Sequence, residues 1–267
     1  MSTKIALPAA QPNDPSRKLS EAETVGLDAT MDAERWLAHF LHNRENRSEP
    51  EWDAPITLAP HVIKRLVKSI EQFELGDGGG PDKLIAWNAD RFRCATKARQ
   101  ALVDLWFAEE KEHSRLLRGC VARFEGKCIE SHWSFTAFCQ ARRWLGVDFE
   151  LTVLILTEIV STAYYRLLHR HGDDTALRAV CKLILRDEAG HIAFHRDRLA
   201  RSGRGYGLFW EMCFRMLGYG AATMLWVNHR DGVCAIGGGT REFYREVRRE
   251  LSRFIRRLRV DTSHLAV

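Results

Sequence analysis

The chain has 267 residues, 45% of them hydrophobic and 28% charged, with a formal net charge of +5. That composition is enough to bury a full core, and it excludes a disordered chain, a collagen and a disulfide mini-protein. The charge is uneven: residues 241–267 carry eight arginines against four acids, so the first 240 residues are nearly neutral and a basic nucleic-acid-binding body is excluded.

Residues 1–29 read as a flexible N-terminal arm, polar and without the apolar stretch of a secretory signal. The remainder, 30–267, reads as a single all-α domain. A first helix is expected at about 31–46, where Trp36, Leu37, Phe40 and Leu41 form an apolar stripe. A second spans 60–75 and is ended by Gly76-Asp77-Gly78-Gly79-Gly80-Pro81. From 83 to 123 there is no Pro and no Gly before Gly119, which predicts one long helix or two pieces divided near Asn88 and Asp90. Helices follow at 131–145 and 149–171, then one to about 201 with N-cap residues at Asp173-Asp174-Thr175. The last two are expected at 207–229 and 240–259, separated by Gly237-Gly238-Gly239. No strand pattern stands out, and the spacing predicts a bundle of long helices.

The seven cysteines are Cys94, Cys120, Cys128, Cys139, Cys181, Cys213 and Cys234. The number is odd and no CxxC occurs, so they read as buried thiols in a reducing, cytoplasmic setting. The apolar stretch Gly207–Val227 is interrupted by Glu211 and Arg215, too short an uncharged run for the roughly 20 residues that span a bilayer.

Glu-x-x-His occurs twice, at Glu110–His113 and at Glu188–His191. Residues three apart share a helix face, so each pair can hold one metal ion. Both lie on stripes that otherwise look like core: Leu102, Trp106, Leu117 and Cys120 around the first, Leu177, Cys181 and Ile184 around the second. Glu158 stands alone in the run Leu151–Val160, whose other residues are mostly apolar. The competing interpretation pairs it with a buried Arg such as Arg166. A fourth acid is sought before the first pair, where Glu71 and Glu74 are both available. The stripe Ile63, Leu66, Val67, Ile70 and Phe73 continues in phase to Glu74, which favours it.

The predicted metal ligands are therefore Glu74, Glu110, His113, Glu158, Glu188 and His191. Four carboxylates match the charge of two divalent ions, and their burial without cations would be prohibitive. Oxygen and imidazole donors without thiolate suit iron or manganese better than zinc.

This order of motifs resembles the ferritin-like di-iron carboxylate superfamily, with Glu, Glu-x-x-His, Glu and Glu-x-x-His on four successive helices. The strings Trp106-Phe-Ala-Glu109-Glu110-Lys-Glu-His113 and Arg186-Asp187-Glu188-Ala-Gly-His191 are similar to the motifs of soluble acyl-carrier-protein desaturases and di-iron N-oxygenases. The resemblance covers about 60–201. It implies a ferritin-like four-helix bundle with extra terminal helices, holding two Fe ions or a Mn/Fe pair with O2 as co-substrate. It also implies that Asp187 bonds His113 and that Glu109 bonds His191, fixing both rings. His195, one turn beyond His191, reads as a structural or supporting histidine or as a further ligand. Leu117 stands where the ribonucleotide reductase small subunit carries its radical Tyr, which argues against that activity.

The expected function is an oxygen-activating oxidase or oxygenase acting on a small hydrophobic or carrier-bound molecule, with an external electron donor. Two alternatives remain: a metal-storage or stress protein of the same fold, and a structural bundle that docks through its Arg-rich last helix. The 207–227 helix, apolar almost all round, is expected to be buried, to wall a substrate channel, or to lie in a homodimer or membrane interface. The last helix is expected to pack by one face, with its Arg face in solvent or docked on an anionic membrane or an acidic carrier.

Overall fold

The computed structural model describes residues 32–78, 83–90, 97–202 and 205–265; the expected arm at 1–29 lies outside them. Among the described residues there are eight helices and no strand. They are α1 (Ala33–Glu45), α2 (Pro60–Gly78), α3 (Lys97–Arg123), α4 (Trp133–Trp144), α5 (Val147–His171), α6 (Thr175–Ala200), α7 (Leu208–Ala235) and α8 (Thr240–Leu265).

Local chemistry sets most of the ends. The Asp32 side chain accepts from Arg35 N–H and starts α1, and Asp174 accepts from Leu177 N–H and starts α6. Two segments depart from the sequence reading. Helix α2 does not stop at residue 75 but continues through Asp77 to Gly78. Its packing on α3 offsets the roughly 1 kcal/mol that a helical glycine costs. Residues 83–88 are not helical. They are tied instead to the start of α5: Asn88 Oδ1 accepts from Val147 N–H, and the N–H groups of Ile85 and Ala86 donate to the Glu150 carboxylate.

Helix α2 packs on α3 and α5 packs on α6, with α3 and α6 in contact across the two pairs. Helix α1 lies over α3 and α6, and α4 leans on α5. Helix α7 packs against α2 and α5, and α8 against α5 and α6. Helix α5 is long and apolar enough to cross a membrane by length and composition alone, but most of it is buried among these neighbours.

The apolar core has two parts. One is built around Leu66, Ile70, Leu117, Ile155, Ile159, Leu177 and Ile184 and extends into α7 and α8. The other centres on Trp36, Phe40, Leu102, Trp106, Leu151 and Phe194. On α3 and α6 a polar layer separates the two parts, Glu110 and His113 on one and Glu188 and His191 on the other, while on α5 Glu158 lies within the first part, just past the boundary.

The C-terminal helices differ from one another. Helix α8 buries Phe243, Val247, Leu251, Phe254, Ile255 and Leu258. Its Glu246 and Glu250 are buried against Arg166 of α5. Helix α7 is not buried all round. Phe214, Gly218, Ala222 and Trp226 face inward, while Phe209 is 80% and Met216 72% exposed.

Candidate metal centre

Each element contributes its acids or imidazoles at helical spacing. On α3, Glu110 and His113 follow Trp106 on the inward stripe; on α6, Glu188 and His191 follow Ile184. Glu158 projects from the middle of α5. The ligand atoms of Glu110, Glu158 and His191 lie within 4.8 Å of one another. His191 Nδ1 is 3.0 Å from Glu110, 3.3 Å from Glu158 and 3.8 Å from Glu188. His113 Nδ1 is 3.7 Å from Glu110 Oε2, and the two imidazole centroids are 5.7 Å apart.

Both rings turn Nδ1 inward and Nε2 outward. Glu109 accepts from His191 Nε2 at 2.9 Å, and Asp187 accepts from His113 Nε2 at 3.3 Å. Arg47, on the segment after α1, joins these two outer acids: its guanidinium is 2.6 Å from Asp187 and 3.4 Å from Glu109. The sequence reading missed Arg47, because a lone basic residue in a loop carries no spacing signal. Helix α1 reaches this layer because residue 190 is glycine: a Cβ there would collide with the His39 ring.

The fourth acid differs from the expected one. Glu74 is buried but engaged by Arg118, at 2.6 Å, and by Ser114, at 3.2 Å. Glu71 accepts from Lys127 N–H. Neither enters the cluster. The acid that α2 sends there is Asp77, whose charge acts on Glu110, His113 and Glu158 and whose Oδ2 accepts from Tyr165 at 3.3 Å. Asp77 lies one turn beyond Glu74, inside the glycine run read as a helix stop. Its signal is the phase of Ile70 and Phe73 carried four residues past Phe73.

Arg166 does not partner Glu158; it serves Glu246 and Glu250. His195 is fully buried beside Trp106, at a centroid distance of 4.6 Å, with no hydrogen-bond partner on either nitrogen. Burial holds its pKa well below the ordinary value, with Arg198 adding to the effect.

Without a cation the cluster is electrostatically frustrated. Burial, then the charge of Glu158, pushes Glu188 well above the usual carboxylate range. Burial and Glu110 do the same to Asp77. The imidazoles go the opposite way: against the burial penalty, bonds to Asp187 and Glu110 raise His113 to about 10. His191 is raised by Glu158, Glu109 and Glu110, again against burial. Glu110 is held low by the two imidazoles despite burial. Protons thus supply part of the positive charge that the acids demand.

The pairing remains incomplete. Glu188 Oε2 is buried without a hydrogen-bond partner, and Glu110 Oε1 and His113 Nδ1 meet only cluster neighbours, His191 Nδ1 at 3.0 Å and Glu110 Oε2 at 3.7 Å. Such atoms cost free energy unless something else binds them. Four carboxylates and two inward Nδ1 atoms fit two divalent transition ions by charge and by donor type.

The cluster forms one end of a cavity of about 460 Å³. Asp77, Glu110, Glu158 and Glu188 line it together with mainly apolar side chains, among them Phe73, Trp106, Phe135, Leu154 and Leu225. Helices α4 and α7 close its sides. Comparison with known proteins yields no matching family model, no matching curated protein and no matching solved structure.

Proposed function

We propose that the chain is a dinuclear metal oxidoreductase, iron or manganese–iron, that uses O2 to oxidise an apolar substrate held in the 460 Å³ cavity. The observation that carries this reading is the convergence of acids and imidazoles from four helices beside an apolar cavity, with a buried Glu188 oxygen among them left without a hydrogen bond. The proposed ligands are Asp77, Glu110, His113, Glu158, Glu188 and His191. A pair of such ions, when bound, supplies two electrons and open coordination positions for O2.

The chain's own residues supply the rest. Glu109 and Asp187 hold the imidazole Nε2 atoms and so keep Nδ1 aimed inward. Trp106, Phe73 and Leu154 keep bulk water from the acids and give an apolar substrate its surface. The cavity favours substrate oxidation over simple metal storage, because storage needs no apolar chamber of this size. The ferritin-like assignment of the bundle belongs to the same proposal, and the four-helix order of donors supports it. No nicotinamide or flavin motif is visible in the sequence, so the electrons are assigned to an external donor.

The test is anaerobic loading with iron(II), a metal count, and mixing with O2. About two irons per chain and rapid O2 consumption are expected. Fewer than one metal per chain, with Glu158→Ala indistinguishable from wild type in metal content, overturns the proposal.

A further inference from the structure

The cavity lining carries a polar device that the metal centre does not use. His229, on α7, lines the cavity and is 8% exposed. Its ring lies against Phe73, at 4.5 Å between centroids, and Tyr164, at 5.4 Å. Its Nδ1 is turned away from the cavity, 2.9 Å from Ser69 Oγ, and Ser69 Oγ is 2.6 Å from Tyr164 Oη. Ser69 and Tyr164 are buried, and no other side-chain partner for either is found among the described residues.

Counting protons orders this chain. If Ser69 donated to Tyr164, the phenol proton would be left buried without an acceptor. The arrangement that satisfies every proton is Tyr164 to Ser69 to His229. Nδ1 is then the acceptor, and the ring proton sits on Nε2, on the edge left to the cavity. Burial pushes the imidazole down to about 3, so the ring is neutral. Close approach of the helices is built in as well. A Cβ at Gly232, one turn after His229, would lie 2.9 Å from Ser69 Cβ and 3.3 Å from the Leu66 backbone. Only glycine lets α7 come near enough for His229 to reach Ser69.

We propose that the Tyr164–Ser69–His229 chain makes His229 a fixed Nε2–H donor that reads a neutral oxygen acceptor on the substrate. The substrate class is an apolar molecule bearing a ketone, ether or amide carbonyl. An anion is disfavoured by the four acids at the cavity floor, and an ammonium group finds no acceptor at this ring. The inference rests on the reading of the cavity as the substrate site.

The test uses the full chain and two probes of equal shape, 2-octanone and 2-methyl-1-octene, with affinities from quenching of tryptophan fluorescence. His229→Phe is expected to lower the ketone-to-alkene affinity ratio about tenfold, since the carbonyl then enters the cavity without a partner. Nitrogen-15 spectra of the histidine-labelled chain should show His229 as the Nε2–H tautomer, and Tyr164→Phe should mix the two tautomers. An unchanged ratio in His229→Phe, or an Nδ1–H tautomer in the wild type, overturns the inference while leaving the cavity reading intact. If neither probe binds the wild type, or Ala221→Trp in the cavity wall leaves both affinities unchanged, the cavity reading falls and takes this inference with it.

Discussion

Helix α5 buries two glutamates eight residues apart, and they have opposite fates. Glu150 is fully buried, yet its carboxylate is satisfied on every side: Arg142 donates to it at 2.9 Å, and the N–H groups of Ile85 and Ala86 donate at 2.8 Å each. Glu158 is 6% exposed and meets the His191 imidazole and the charges of Glu110, Glu188 and Asp77, with no arginine ion pair among the described residues. Burial of an acid therefore says little about function. What matters is whether the partners within the chain complete its charge and its lone pairs. At the Glu150 end they do, and the acid pins residues 83–88 to the bundle. At the Glu158 end they do not, and the shortfall matches a pair of cations.

Glu150→Ala should break this comparison most visibly. It leaves the buried Arg142 charge without its counter-ion, held only by the Lys83 carbonyl, and strips two backbone N–H groups of their acceptor, and should cost about 3–5 kcal/mol in urea unfolding. Glu158→Ala removes one of four crowded acids, so the metal-free chain should be at least as stable as wild type. Equal destabilisation by both substitutions would make Glu158 a structural acid and end the distinction.

Metal addition gives the next largest effect. On the proposed reading, manganese(II) at about 100 times its dissociation constant should raise unfolding stability by about 2.7 kcal/mol. That gain should vanish in Glu158→Ala and in Asp77→Ala, and survive in Glu74→Ala and Glu150→Gln. A gain lost in Glu74→Ala but kept in Asp77→Ala would restore the acid that the helical stripe favoured.

That reversal shows where the sequence was legible. The two Glu-x-x-His stripes, lone Glu158 and most helix limits follow from apolar phase, because α3, α5 and α6 each have one buried face. On α2 the glycine run reads as a helix stop, which hides Asp77 from the sequence. In fact, packing on α3 carries the helix past Gly76 and swings Asp77 inward. Glu150 is invisible for a different reason: Arg142, though eight residues earlier, lies on a different helix, the turn at 85–86 is remote in sequence, and neither partner follows a helical period. Helix α7 looked buried on composition, yet only the face through Phe214, Gly218, Ala222 and Trp226 meets the bundle.

Acidity gives a further test of the Glu158 end. In the metal-free cluster His113 is raised to about 10, and His191, Asp77 and Glu188 are also shifted upward. Groups with raised pKa hold their protons below those values, so metal must displace them and competes worst at low pH. Apparent metal affinity should therefore rise between pH 6 and pH 8, about tenfold per unit for each proton displaced. Calorimetry in buffers of different ionisation enthalpy counts those protons, and release of none would show that the imidazoles are already neutral.

Arg47 offers the smallest and most specific test. It touches no inward-facing donor. Its guanidinium instead compensates Asp187 and Glu109 together, and those acids fix the outer nitrogens of His113 and His191. Arg47→Ala should therefore weaken metal binding about tenfold, the lower range for loss of a group that orients ligands at one remove. Arg47→Lys restores the charge without the planar fork and should recover only part of it. Because the two imidazoles belong to different Glu-x-x-His pairs, both metal equivalents should weaken together in a titration. Loss confined to one equivalent would mean that only one of the two outer acids depends on Arg47. An unchanged titration would reduce Arg47 to a tether for the segment after α1.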